Sequence, residues 1–210
     1  MPLITIIGAG PGLGLEIARA FGRRGFDVAL VARTQRSLDS LAQTLRSEGI
    51  SAQGFAADVS RPETITSALR AISDTLGPID VLEFSPADPS LAPVDVLDVT
   101  MENLQPQIDF YLGGALSAIG GVLPDMIAAG EGTILVTTGG GSISPMPFLG
   151  NVNIAQHGVR GRHTARRRVG EDDDVGHACF FQHIDRNGRA RKLHQRKDAF
   201  LHAGTAGGRE

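Results

Sequence analysis

Four glycines, at positions 8, 10, 12 and 14, lie close enough together to shape a phosphate-binding turn. The segment Gly8-Ala9-Gly10-Pro11-Gly12-Leu13-Gly14 follows an apolar β-branched run and opens a segment with helical apolar spacing. Glycine in such a turn lets the backbone approach a pyrophosphate, and the helix that follows offers free N–H groups and the positive end of its dipole. Strand, turn and helix in this order are the context a dinucleotide turn needs. The second apolar run ends Val31-Ala32-Arg33-Thr34, with no acid to accept the adenosine ribose hydroxyls. Arg33 instead offers a guanidinium fork to a 2′-phosphate, which favours NADP over NAD. The competing reading is a solvated arginine at a helix start. Asp58 follows the third apolar run. It either accepts the adenine amino hydrogens or caps the helix that begins near Pro62, a role Ser60 can also fill.

Proton transfer is harder to place. Tyr111 is the only tyrosine, and Lys192 and Lys197 are the only lysines. A mechanism that needs a nearby tyrosine–lysine pair is therefore in difficulty. Thr138 and Ser142 can donate hydrogen bonds to a substrate oxygen, Tyr111 can enter a pocket from its helix, and His157 can exchange a proton near neutrality. Against these stand a half-buried core role for Tyr111 and a solvated role for His157.

The elements that must position these residues alternate regularly. Strands are expected at 3–7, 27–32, 51–56, 79–82 and 133–137. Helices are expected at 13–24, 38–45, 62–76 and 100–128, the last bent or shortened by Pro106 and Pro124. Short, continuously apolar strands joined by helices imply an α/β fold with a doubly wound parallel sheet.

These residues resemble the short-chain dehydrogenase/reductase family. Gly8, Gly12 and Gly14 match its Gly-x-x-x-Gly-x-Gly loop, and Ala32-Arg33 its NADP-preferring form. Asp58-Val59 resembles its adenine-contact pair, Pro78–Leu82 its fourth strand, and Gly132–Val136 the strand before its active site. The likeness covers about residues 1–161. It implies a Rossmann sheet, an NADP cofactor held by Gly8, Gly10, Gly12, Leu13, Gly14, Arg33, Asp58, Val59 and Ser85, and hydride transfer on a small carbonyl or alcohol. It also implies a catalytic Asn, Ser, Tyr and Lys, with the Tyr as general acid and base. Here those positions hold Tyr111, Gly139, Val152 and Gln156, and the Asn-Asn-Ala-Gly segment is Phe84-Ser85-Pro86-Ala87. The resemblance thus implies a nucleotide-binding oxidoreductase whose catalysis is impaired. Two alternatives stay open: a reductase using Thr138, Ser142 and Tyr111, and a non-enzymatic nucleotide-binding or interaction module. A homo-oligomer through the long helix 100–128 is also expected.

Composition changes abruptly near residue 155. The formal charge of −3 joins a segment of −8 to a tail of +5, and the tail holds all six histidines. Residues 162–210 show no sustained period of 2 or 3.6 and read as a separate, poorly structured basic tail, with the sheet ending after its fifth strand. The histidine spacings do not suit a metal site. No specific nucleic-acid contact is expected. Out-of-frame continuation of a longer dehydrogenase is the preferred origin of the tail. A single cysteine excludes an intramolecular disulfide. No apolar run of membrane-spanning length and no secretory leader are read, so a cytoplasmic protein is expected.

Overall fold

A computed structural model describes the backbone of residues 1–164, 177–184 and 190–192, and the side chains of residues 1–160. The order of elements is β1 (Leu3–Ile7), α1 (Leu13–Gly22), β2 (Asp27–Ala32), α2 (Gln35–Ser47), β3 (Ala52–Ala56), α3 (Pro62–Leu76) and β4 (Val81–Phe84). These are followed by α4 (Met101–Gln107), a π-helical turn (Ile108–Gly113), α5 (Gly114–Ala129), β5 (Gly132–Gly139), α6 (Gly150–Thr164), β6 (His177–Ile184) and β7 (Ala190–Lys192).

The sheet runs β3-β2-β1-β4-β5-β6-β7, and the first five strands are parallel. Ile7 pairs with Val31 on one side and Phe84 on the other, and Phe84 pairs with Val136. The strand ends carrying Gly8, Arg33, Asp58, Ser85 and Gly139 therefore share one edge of the sheet, where ligands of such folds bind. Alternate residues of each strand face opposite layers. Leu3, Ile7, Val31, Leu82 and Phe84 pack against α3 and α5, while Ile4, Ile6, Val28 and Leu30 pack against α1 and α2. Each such Leu, Ile or Phe stabilises the fold by about 1.5–3 kcal/mol through burial.

The long helix is not continuous. Pro106 lies inside α4 and has no N–H to donate, and the chain passes into the π-helical turn that carries Tyr111 before α5 resumes. Residues 101–129 together are long and apolar enough to cross a membrane by length and composition, which corrects the reading that no run approaches that length. In this fold Ala115, Ala118, Ile119, Val122 and Met126 face the core.

The parallel part of the sheet ends at β5, as expected, but its outer edge is not bare. β6 pairs antiparallel to β5 from Gly132 opposite Ile184 to Gly139 opposite His177, and β7 pairs with β6. An unpaired edge presents a full row of N–H and C=O groups to a partner strand. The run Ala178-Cys179-Phe180-Phe181 was too short, amid charged residues, to show a period of its own. The rest of the expected tail lies outside the described residues.

Candidate active site

The glycine turn is built by contact on one side and by open space on the other. Gly8 has φ +101°, and a Cβ there would meet the backbone of Pro86 at 2.6 Å. A Cβ on Gly14 would meet the Ala9 Cα at 2.9 Å. Gly10 and Gly12 have nothing within 4 Å of where a Cβ would be, so their backbone borders free volume. The amides of Gly8 and Ala9 both donate to the Val31 carbonyl, at 2.9 and 3.0 Å, which binds the turn to β2. Leu15 donates back to the Gly10 carbonyl at 3.0 Å, and Leu13 and Gly14 begin α1. The first amides of a helix have no partner within it and aim outward. This cradle suits a pyrophosphate.

Arg33 and Asp58 stand at neighbouring strand ends. Asp58 Oδ1 accepts the Ser60 amide at 3.0 Å, and its own amide donates to Thr64 Oγ1 at 3.0 Å. Helix α3 begins after Arg61 with no side-chain cap, so neither Asp58 nor Ser60 fills the capping role. Val59 is buried against Gly114 of α5. Arg33 donates from Nη1 to Asp88 Oδ2 at 2.6 Å. The other oxygen of Asp88 accepts the Ser90 amide at 2.9 Å and the Ser90 hydroxyl at 2.6 Å. The Ser90 bonds first, and then Arg33, hold the Asp88 carboxyl below its usual range. Sequence reasoning missed Asp88, which lies 55 residues from Arg33 in a loop without a motif.

Ser85 closes β4, its amide donating to the Ile7 carbonyl at 2.9 Å. Its hydroxyl donates to Glu83 Oε2 at 2.9 Å, and the Thr137 hydroxyl donates to Glu83 Oε1 at 3.2 Å. Burial pushes the Glu83 carboxyl up to about 7, with the Ser85 and Thr137 hydroxyls acting against it. An acid inside the four-residue strand Val81–Phe84 was the available signal, and it went unread.

The residues considered for proton transfer divide into two groups. Thr138 and Ser142 meet, with their hydroxyl oxygens 2.7 Å apart, and both are buried. Their hydroxyls satisfy each other and do not line an open surface. Tyr111 and Gln156 form the other group. Gln156 Oε1 accepts the Gly139 amide at 3.0 Å, and the Gln156 side chain also acts on the Tyr111 phenol. Burial raises the Tyr111 pKa, the Gln156 bond opposes this, and the charge of Asp88 adds to the rise. The phenol is therefore protonated at neutral pH. Val152 sits half-buried in α6, and exposed His157 bonds the Asn153 carbonyl through Nδ1 at 3.0 Å. The buried Asn151 ties α6 to the loop after β4, accepting from the Val94 amide and donating to the Ala92 carbonyl.

The chain is 26% identical over 151 residues to dehydrogenase/reductase SDR family member 4 of Sus scrofa, covering 71% of this chain and 53% of that protein. It is 30% identical over 138 residues to a peroxisomal 2,4-dienoyl-CoA reductase of Arabidopsis thaliana, covering 66% and 45%. The chain thus spans about half the length of these curated relatives. Among solved structures, an actinorhodin polyketide ketoreductase with NADPH superposes with a TM-score of 0.72 at 27% identity, covering 78% of this chain and 63% of that one. An alcohol dehydrogenase from Thermococcus sibiricus complexed with 5-hydroxy-NADP superposes at 0.68 and 25% identity, covering 77% and 68%. The family model described as short chain dehydrogenase matches residues 2–167, reaching from β1 through α6 and just past the change in composition, and the chain belongs to that family.

Proposed function

We propose that this chain binds NADP through the glycine turn and Arg33, and that it is an oxidoreductase domain for a small carbonyl or alcohol with impaired catalysis. The observation that carries the reading is the turn itself. Gly8 and Gly14 are locked by close backbone contact, while Gly10 and Gly12 face open volume. Gly10, Gly12, Leu13 and Gly14 would hold the pyrophosphate. Arg33 would take the 2′-phosphate, Asp58 and Val59 would border the adenine, and Ser85 would border the ribose on the nicotinamide side. The bound nicotinamide supplies or accepts a hydride. The residues at the family's catalytic positions cannot supply the usual proton path, because Val152 has no hydroxyl and Gln156 carries no charge. The residues to 161 form the nucleotide-binding unit in this reading.

A second reading has one observation in its favour. Tyr111, its pKa raised by burial, is a protonated phenol within the turn that interrupts the long helix. It could give a proton to a carbonyl oxygen during reduction, but it would be a poor base for the reverse reaction. Thr138 and Ser142 do not join it, since their hydroxyls are buried against each other.

Fluorescence titration with NADPH and NADH, followed by turnover on a panel of carbonyl compounds, tests both readings. Binding without turnover is expected. Turnover that Tyr111→Phe abolishes selects the second reading. A folded sample that binds neither nucleotide overturns both.

A second copy of the chain is the proposed partner of α5. Leu116, Gly120, Leu123 and Ile127 fall on one outer face, and Leu116 and Ile127 are exposed. Light scattering on wild type and on Leu116→Glu/Ile127→Glu checks this, with a dimer or larger for the first and a monomer for the second.

A further inference from the structure

We propose that Asp88 is a specificity-determining residue that works against the 2′-phosphate and lets the site accept NAD as well as NADP. The inference rests on the nucleotide-binding reading above. Its observation is the 2.6 Å ion pair between Arg33 and Asp88.

The ion pair crosses the cofactor edge of the sheet. Arg33 follows β2, Asp88 lies four residues beyond β4, and β1 runs between those strands and ends in the glycine turn. The two partners differ in freedom. The Asp88 side chain is 7% exposed, and Ser90 holds it from both its amide and its hydroxyl. The Arg33 side chain is 53% exposed, and Nη1 to Asp88 is its one hydrogen bond among the described residues. The arginine can therefore swing to a ligand, while the carboxylate stays. Tyr111, whose pKa Asp88 raises, brings no compensating charge to the same region.

The chemistry of the two cofactors then separates. A 2′-phosphate drawn to Arg33 comes to rest beside a fixed, ionised carboxylate, and two anions share one guanidinium. A ribose with free hydroxyls meets no such repulsion. It can donate to Asp88, which supplies the acceptor absent from the end of β2. Arg33 thus attracts the phosphate, and Asp88 lowers the resulting preference.

The test measures Kd for NADPH, NADH and 2′,5′-ADP on the full chain, for wild type, D88N and D88A, at low and high salt. D88N keeps an acceptor for Ser90 but removes the charge. Both variants are expected to bind NADPH and 2′,5′-ADP about tenfold more tightly at low salt, with less gain at high salt. NADH binding should be unchanged or weaker, so the NADPH-to-NADH ratio rises. Thermal melting shows that each variant is folded. NADPH affinity unchanged or reduced in both folded variants overturns the role of Asp88 and leaves the nucleotide-binding reading intact. Failure of wild type to bind either dinucleotide overturns that reading and this inference together.

Discussion

Gln156 Oε1 accepts the Gly139 amide at 3.0 Å, and the same side chain acts on Tyr111, opposing the rise that burial gives its pKa. In the alignment implied by the sequence resemblance, these three positions correspond to a lysine, a serine and an asparagine, and here the group among them is a neutral amide. A lysine there would favour the phenolate, whereas glutamine holds a phenol without charging its surroundings.

Tyr111 can be titrated alone, because the chain has no other tyrosine and no tryptophan. Gln156→Lys is expected to lower the ultraviolet titration midpoint of Tyr111 by about one pH unit, since a nearby cation stabilises the phenolate. Gln156→Ala should raise it, because the bond that opposes burial is lost. An unchanged midpoint in both variants would show that Gln156 does not touch Tyr111.

Glu83 predicts a pH dependence of stability with a definite sign. Its folded carboxyl is pushed up to about 7, from an ordinary value of 4.5. Between those values the folded state binds the proton more tightly than the unfolded chain. The contribution is therefore present in full below about 4.5 and is lost as pH rises through 7. Relative to Glu83→Gln, wild-type Tm should fall by roughly 5 °C between pH 5 and pH 7.5. Parallel Tm curves for the two proteins would rule out a buried, titrating Glu83.

The glycines of the turn should separate folding from binding. Gly8→Ala forces a Cβ into the Pro86 backbone at positive φ, and a loss of about 2–4 kcal/mol in urea unfolding is expected. Gly10→Ala meets no atom within 4 Å and should leave the unfolding midpoint nearly unchanged. It should still weaken NADPH binding about tenfold or more, because the methyl group enters the space proposed for the pyrophosphate.

Thr138 and Ser142 should matter for stability and not for nucleotide affinity. Ser142→Ala leaves a buried Thr138 hydroxyl unpaired and should cost about 1–3 kcal/mol. Adding Thr138→Val removes that unpaired group, so the double variant should be less destabilised than the sum of the single ones. Urea unfolding of the four proteins of this cycle, beside their NADPH titrations, provides the check. Additive losses would mean that the two hydroxyls do not interact.

Much of the framework can be read locally. β1 to β5 and their helices follow from apolar runs, helical spacing and glycine punctuation, because burial on a two-sided sheet selects those patterns residue by residue. Ile79 and Asp80 were read as strand, but the strand proper starts at Val81. Asp80 instead accepts the Leu3 amide through its side chain at 2.6 Å, a long-range bond that local pattern does not contain. The interruption at Tyr111 was signalled by Pro106, but its π-helical form was not.

The amino-acid sequence by itself determined the parallel α/β framework, the glycine turn with Arg33 after β2, and the absence of a tyrosine–lysine pair. Each of these depends on residue type or on near neighbours in the chain. Tertiary structure decided which polar groups meet: Arg33 with Asp88, Glu83 with Thr137 across 54 residues, and Gln156 with Gly139. It also set β6 against the outer edge of β5. These pairings satisfy buried or edge-exposed hydrogen-bonding groups, and their partners are chosen by the register and layering of the sheet, which no local periodicity records.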